Sequence, residues 1–363
     1  MRLFIKIFSV ALKSISIASV ASLFFCFLSV YVSPAKILFL AYFGLLFQLF
    51  FLVNLLLLII WIVKRNRRFV ILHVIASVPN IFFSGYFFRP LGGGKDVDVN
   101  AENIKLLSYN MQGFQIPYQK NTTQEKIAEF INSENPDIVC LQEFYTNDRV
   151  TEKLFASLLG EYKYHAVFYS VERKNSSYGV ITFSRYPIKM TLEIPFENTA
   201  NAAMYTDIDV NGKIIRVYNV HLQSIKLNIN NLFSSRKNRI DEIEEASSRL
   251  KTAFIKRAGQ VDIMAKHIDV SPYPVIICGD FNDTPVSYTY NKIRGDRLDT
   301  FCEAGKGMPS TYRLSVVPFF RIDYILHDKI MKSLTYSVHK IDCSDHYPIS
   351  SVIEISGSAP VDD

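Results

Sequence analysis

The sequence predicts a layered α/β domain preceded by an all-α transmembrane anchor, and three observations carry that prediction. Residues 96–363 alternate apolar runs of strand length with polar stretches of helical period. The first 94 residues contain no Asp or Glu, the first acid being Asp96. Three apolar blocks follow one another in that stretch, at 14–33, 37–63 and 69–88, each near the roughly 20 residues that cross a hydrocarbon core.

The anchor is read as residues 1–90. Its first two blocks are free of charge, whereas the third holds His73, Pro79 and Asn80. A cleaved signal peptide is the alternative for the first block, but its length and the longer block close behind favour a retained span. Arg2, Lys6 and Lys13 precede the first block, and Lys64, Arg65, Arg67 and Arg68 follow the second. The positive-inside rule puts both clusters in the cytoplasm. Three spans then place the rest of the chain outside the cytoplasm, as a multi-pass protein; a third block that does not cross would leave it inside. Residues 91–103, with Gly92, Gly93 and Gly94, read as a linker.

In the domain itself, residues 104–356 with a short tail at 357–363, strands are predicted at 104–109, 138–141, 179–183, 214–221 and 275–278. Ile127, Phe130 and Ile131 set a helical period over 121–132. Ile243, Leu250, Phe254, Val261 and Met264 do the same over 240–267. Asn211-Gly212 between two strand-like runs predicts a tight hairpin.

The formal net charge of +6 belongs to the anchor. The first 94 residues hold nine basic residues, so residues 95–363 keep 31 Lys and Arg against 34 Asp and Glu, a net −3. Such a domain lacks the basic field that tight duplex binding requires. A local surplus at 234–257 (Arg236, Lys237, Arg239, Arg249, Lys251, Lys256 and Arg257 against four acids) reads as the outer face of a helix. The five cysteines form no CxxC pair, which argues against a zinc ribbon; Cys140 and Cys278 fall in apolar runs as buried thiols.

Several polar residues stand directly after strand-like runs. They are Asn110 after KLLSY, Glu143 after IVCLQ, His221 closing VYNVH, and Asp280 and Asn282 in VIICGDFND. Asp323 lies in RIDYIL, and Asp345-His346 in CSDHYPI. Singly, each would be read as a cap or turn residue. Together they offer carboxylate and amide oxygens for a hard divalent cation, a further carboxylate to orient water, and two imidazoles to stabilise developing charge. That inventory suits attack on a phosphodiester.

The strings SYNMQGF, CLQEF, NVHLQS, GDFND, RIDYIL and SDHYPI, in this order and over about 104–353, resemble the endonuclease/exonuclease/phosphatase superfamily with its DNase I, exonuclease III and neutral sphingomyelinase branches. The resemblance implies a four-layered α/β sandwich of two packed, mainly antiparallel sheets flanked by helices. It also implies a Mg2+ ion, with Mn2+ or Ca2+ as substitutes, held by Glu143 with Asn110 and Asp345. Asp280 would activate water, Asn282 would hold a phosphate oxygen, and His346, oriented by Asp323, and His221 would contact the phosphate. Tyr178 and Arg185, flanking GVITFSRYP, are weaker candidates for phosphate contact.

Gln112 stands where many members carry an acid or Trp, and the one Trp is Trp61 in the anchor, which argues against an abasic-site nuclease. Phe281, Tyr312 and Tyr324 read as packing residues. The expectation is a membrane-tethered, Mg2+-dependent phosphodiester hydrolase of endonuclease type, with a lipid phosphodiesterase or phosphatase as the alternative and an inactive scaffold as a remote one. Its expected partners are the bilayer and a phosphodiester substrate, a nucleic acid or a phospholipid head group; the residues point to no protein partner.

Overall fold

A computed structural model describes residues 2–92, 103–114, 123–147, 149–225, 239–313 and 320–355. The chain divides into two compact units. One comprises residues 1–87, 228–259 and 283–293; the other comprises 88–227, 260–282 and 294–363.

The larger unit contains two mixed sheets. In the first, β1 (Asn103–Asn110) and β2 (Ile138–Thr146) run parallel at the centre. Outside them lie β3 (Tyr164–Arg173) and β4 (Ser176–Ser184) on one side and β11 (Lys332–Ser333), β12 (Ser337–Val338) and β13 (Ile349–Glu354) on the other. In the second sheet β7 (Lys213–His221) and β8 (Val275–Asp280) are the central parallel pair. They are flanked by β5 (Ile188–Pro195), β6 (Ala202–Val210), β9 (Leu298–Asp299) and β10 (Asp323–His327). The remaining pairings are antiparallel.

The alternation of side chains along each strand builds the layers. Ile104, Leu106, Ile138 and Cys140 of the first sheet join Ile215, Val217, Ile276 and Cys278 of the second in one core. Their neighbours Leu107, Tyr109, Val139 and Leu141 face Ile127 and Ile131 of α5 (Thr123–Glu134) and Phe155 of α6 (Arg149–Leu158). Gln142 and Asn219 bridge the sheets: Gln142 Nε2 donates to Asn219 Oδ1 at 2.7 Å, and Asn219 Nδ2 donates to the Ile181 carbonyl at 2.9 Å. Asn211 (φ 55°) and Gly212 (φ 87°) turn β6 into β7 as predicted, both in the left-handed region a tight hairpin needs. All five cysteines are free.

The smaller unit holds α1 (Arg2–Ser29), α2 (Phe39–Leu45), α3 (Phe47–Val63) and α4 (Arg67–Ser84). It also takes the first part of α7 (Arg239–Asp269) and the chain at 283–293, where α8 (Tyr288–Arg294) begins. Lys6–Ser29 is long and apolar enough to cross a membrane. The expected second span at 37–63 is broken: α2 and α3 meet at 69° across Leu46, whose φ −97° and ψ 14° leave the helix. The pair counts as one span only if taken together. The third block lies in α4, where Arg67, Arg68, His73, Pro79 and Asn80 leave too little continuous apolar length. The expectation of three spans is thereby reduced to one apolar helix and one bent pair. The predicted linker from residue 93 and the tail lie outside the described residues.

Candidate active site

The two parallel pairs end together, and their last residues are the predicted ones. Asn110 closes β1 beside Gln142, one residue before Glu143, and His221 closes β7 opposite Asp280 of β8. Antiparallel β10 opens with Asp323 opposite Asp280. Strands from both sheets therefore deliver side chains to one end of the sandwich.

Local backbone aims them. Register shifts in β2 between Leu141 and Phe144, and Glu143 sits at φ 53° inside that irregularity. A bulge with a non-glycine residue in the left-handed region re-aims a side chain at a cost of about 1–3 kcal/mol. Asn282 has the same φ of 53°. Gly279 permits the approach of β8 to β7: at φ 137°, a Cβ there would collide with the Val220 carbonyl oxygen.

Asp280, 1% exposed, is the centre. Its Oδ2 accepts from Asn110 Nδ2 and Asn282 Nδ2, each at 2.9 Å, and its Oδ1 accepts from the Asn282 amide at 2.8 Å. His346 Nε2 lies 3.7 Å and His221 Nε2 3.9 Å from Oδ2. Burial, with the charge of Asp323 adding, pushes the Asp280 carboxyl up to about 7, against His346 and the donated hydrogen bonds. His346 Nδ1 faces Asp323 at 3.0 Å. Burial disfavours its charge, but Asp323 and Asp280 outweigh that and raise the imidazole to about 10. His221 Nε2 reaches Glu143 Oε1 at 3.5 Å. Asn110 Nδ2 is 3.4 Å from the same oxygen.

Asp345 is held at the rim. Its amide donates to Gln112 Oε1 at 3.3 Å, and Ser344 Oγ donates to the Asn110 carbonyl at 2.8 Å. Gln112, the departure from the family pattern, thus ties the SDH loop to the end of β1. Burial and the Glu143 charge raise the Asp345 carboxyl above the usual range, with His346 opposing. Tyr178 also reaches the site, its hydroxyl made less acidic by burial and by Glu143.

Arg185 does not. It follows the far end of β4, where Ser184 pairs with Ile138 at the start of β2, and it binds Glu161 and Asn135, each at 2.5 Å. Because β4 runs antiparallel to β2, the two ends of GVITFSRYP lie at opposite edges of the sheet, so Tyr178 and Arg185 cannot share a site. Asn282 Nδ2 donates to Asp280 Oδ2 and to the Leu222 carbonyl, each at 2.9 Å.

Two residues join the site that the sequence analysis did not assign to it. Tyr312, read there as packing, sets its ring edge against His346 at 5.2 Å, and Asn201 Nδ2 lies 3.1 Å from His221 Nε2 while donating to Leu222. Asn201 precedes β6 without any local signal of a site.

Two donor sets are available to a cation. Asp280, Asp323 and His346 bring one ligand atom each within 4.8 Å of one another, but there the imidazole already occupies the space between the carboxylates. Glu143, with its side chain 23% exposed, and Asp345 with Asn110 form the set that opens to water and substrate. Two carboxylates that repel one another beside a hydrogen-bonded amide suit a hard divalent ion, so these residues fit the implied metal.

Residues 107–346 match the sequence profile of the Endonuclease/Exonuclease/phosphatase family, and residues 6–86 match that of a domain of unknown function. A phospholipase C of Staphylococcus aureus is 27% identical over 179 residues, 43% of this chain and 54% of its own length. The chain therefore spans about half the length of the curated relatives it matches. Among solved structures, an endonuclease/exonuclease/phosphatase from Beutenbergia cavernae superimposes with TM-score 0.53 at 18% identity, covering 70% of this chain and 72% of that one. One from Bacteroides vulgatus gives 0.53 at 17%, covering 69% and 98%. The human Nocturnin catalytic domain gives 0.51 at 18%, covering 71% and 95%. At these identities the structural likeness is one of fold.

Proposed function

The chain belongs to the Endonuclease/Exonuclease/phosphatase family, and we propose that it is a membrane-tethered, divalent-metal-dependent hydrolase of phosphodiesters. The observation that carries this reading is Asp280, buried and fixed by two amides, between His346 paired with Asp323 and His221 beside Glu143. Glu143 and Asp345, with Asn110 in support, would hold Mg2+, with Mn2+ or Ca2+ as substitutes. When bound, the ion supplies Lewis-acid polarisation of a phosphoryl oxygen.

The chain's own groups do the rest. Asp280 orients water and accepts its proton, its carboxylate held in one rotamer by Asn110 and Asn282. His346, kept cationic by Asp323, donates through Nε2 to a non-bridging oxygen and stabilises the charge that builds there. His221 donates from the opposite side or protonates the leaving oxygen. Tyr178 and Tyr312 wall the site against bulk water, which strengthens each of these interactions.

A phospholipid head group is the favoured substrate. The family likeness to a phospholipase C, the apolar helices and a domain of net −3 charge all lean that way. The full chain, in detergent with Mg2+, would be offered bis(p-nitrophenyl) phosphate, phosphatidylcholine and sphingomyelin vesicles, and plasmid DNA. Release of phosphorylated head group supports the reading. Nicked plasmid with intact lipid would assign a nuclease instead, and full activity of His346→Ala on the generic ester would remove the site.

A further inference from the structure

The start of β6 sets a carboxamide against the face of a site imidazole. Ala202 pairs with His221, so Asn201 stands one residue beyond that ladder, beside Leu222. Asn201 and His221 are both buried. The Leu222 carbonyl can only accept, so the amide end that meets it at 2.8 Å is Nδ2. The other end, Oδ1, accepts from Thr199 Oγ1 at 2.7 Å, which fixes the carboxamide the same way round. With one hydrogen on Leu222, Nδ2 lies 3.1 Å from His221 Nε2 and 3.3 Å from Nδ1. A donor in the plane of an imidazole reaches one nitrogen; nearly equidistant from both, it would run into Cε1. Nδ2 therefore lies over the face of the ring, where its second hydrogen can meet the π system.

The surrounding chain holds that carboxamide in place. The Asn201 backbone amide donates to Thr199 Oγ1 at 3.1 Å. Ser170 Oγ, in the bulge of β3 between Tyr169 and Val171, donates to the Ala200 carbonyl at 2.5 Å. His221 Nε2 stands 3.5 Å from Glu143 Oε1 and 3.9 Å from Asp280 Oδ2, both beyond the usual length of a hydrogen bond. At that range the carboxylates attract the ring without fixing its rotation. We propose that Asn201 is a positioning residue for His221: lying across the ring face, and itself held by Thr199 and Leu222, it sets the imidazole rotation that turns Nε2 toward Glu143, Asp280 and the substrate phosphate. This rests on the hydrolase reading of His221.

A double-mutant cycle in the full chain tests it, read as kcat and KM on bis(p-nitrophenyl) phosphate with Mg2+. Asn201→Ala should lower kcat by about tenfold or more with KM nearly unchanged, as misplacement of a catalytic group does. Thr199→Val, which keeps Asn201 but removes the hydroxyl that fixes its amide, should lower kcat in the same way by a smaller factor. In a His221→Ala background either substitution should add little, because its effect passes through that ring. Losses that multiply in that background, or folded Asn201→Ala protein with wild-type kcat, would overturn the proposal. Should Asn201→Ala fail to fold, the Thr199→Val cycle decides by the same two outcomes. A wild-type chain inactive on the ester, or His221→Ala protein with wild-type kcat, would instead sink the hydrolase reading of His221, and the positioning role with it.

Discussion

Replacing Asp323 by Asn isolates one interaction without changing its shape. Asp323 is 3% exposed, and its two carboxylate oxygens stand 3.0 and 3.2 Å from His346 Nδ1. With the carboxylate in place, Nδ1 carries a proton and Nε2 is turned toward Asp280 and the substrate side. An Asn amide turned toward Nδ1 would donate, leaving that nitrogen unprotonated and the ring neutral. The loss of a buried charge-assisted hydrogen bond is worth about 1.5–3 kcal/mol. At about 1.4 kcal/mol per factor of ten, that alone lowers kcat by roughly 10- to 150-fold. Loss of the cationic donor itself takes the total to about 10²–10⁴. The measurement is kcat on bis(p-nitrophenyl) phosphate at saturating Mg2+, with far-ultraviolet circular dichroism to confirm folding. A folded Asp323→Asn protein within about threefold of wild type would refute the role given to the pair.

Three further outcomes are expected. Glu143→Gln, which removes one of the two carboxylates proposed to hold the ion, should raise the Mg2+ concentration for half-maximal activity by about 10- to 100-fold or more, read by metal titration after chelation. Arg185→Ala should leave kcat within about twofold and cost at most about 1 kcal/mol of stability, because its Glu161 partner is 72% exposed and the pair lies away from the site; a hundredfold fall in kcat would contradict its placement. Gly279→Ala should cost about 3 kcal/mol or more, because its Cβ would meet Val220 backbone at a φ of 137°. Thermal unfolding would show it as a fall of roughly 6–12 °C.

The predicted strands hold within a residue or two at 104–109 and 275–278, and the helix expected at 240–267 is α7, Arg239–Asp269. These were legible because strand and helix periods are local properties of the chain. The site residues were legible for a related reason. Asn110, His221, Asp280 and Asp323 close or open strands, so parallel β1 and β2, parallel β7 and β8, and antiparallel β10 carry them to one edge of the sandwich.

What the sequence determined by itself was the inventory and its order: acids and amides at strand ends, two histidines, and an acid-free apolar beginning. Strand direction decided the fate of Arg185, since a segment that runs away from the site carries its last residue with it. Pairing across β6 and β7 brought in Asn201 from a stretch with no motif. The break at Leu46 turned an unbroken apolar run into two helices, and Ser29 Oγ meets the Val286 carbonyl from 257 positions away. Each of these depends on which segments meet in space, and a local pattern of residue types carries no record of its distant partner.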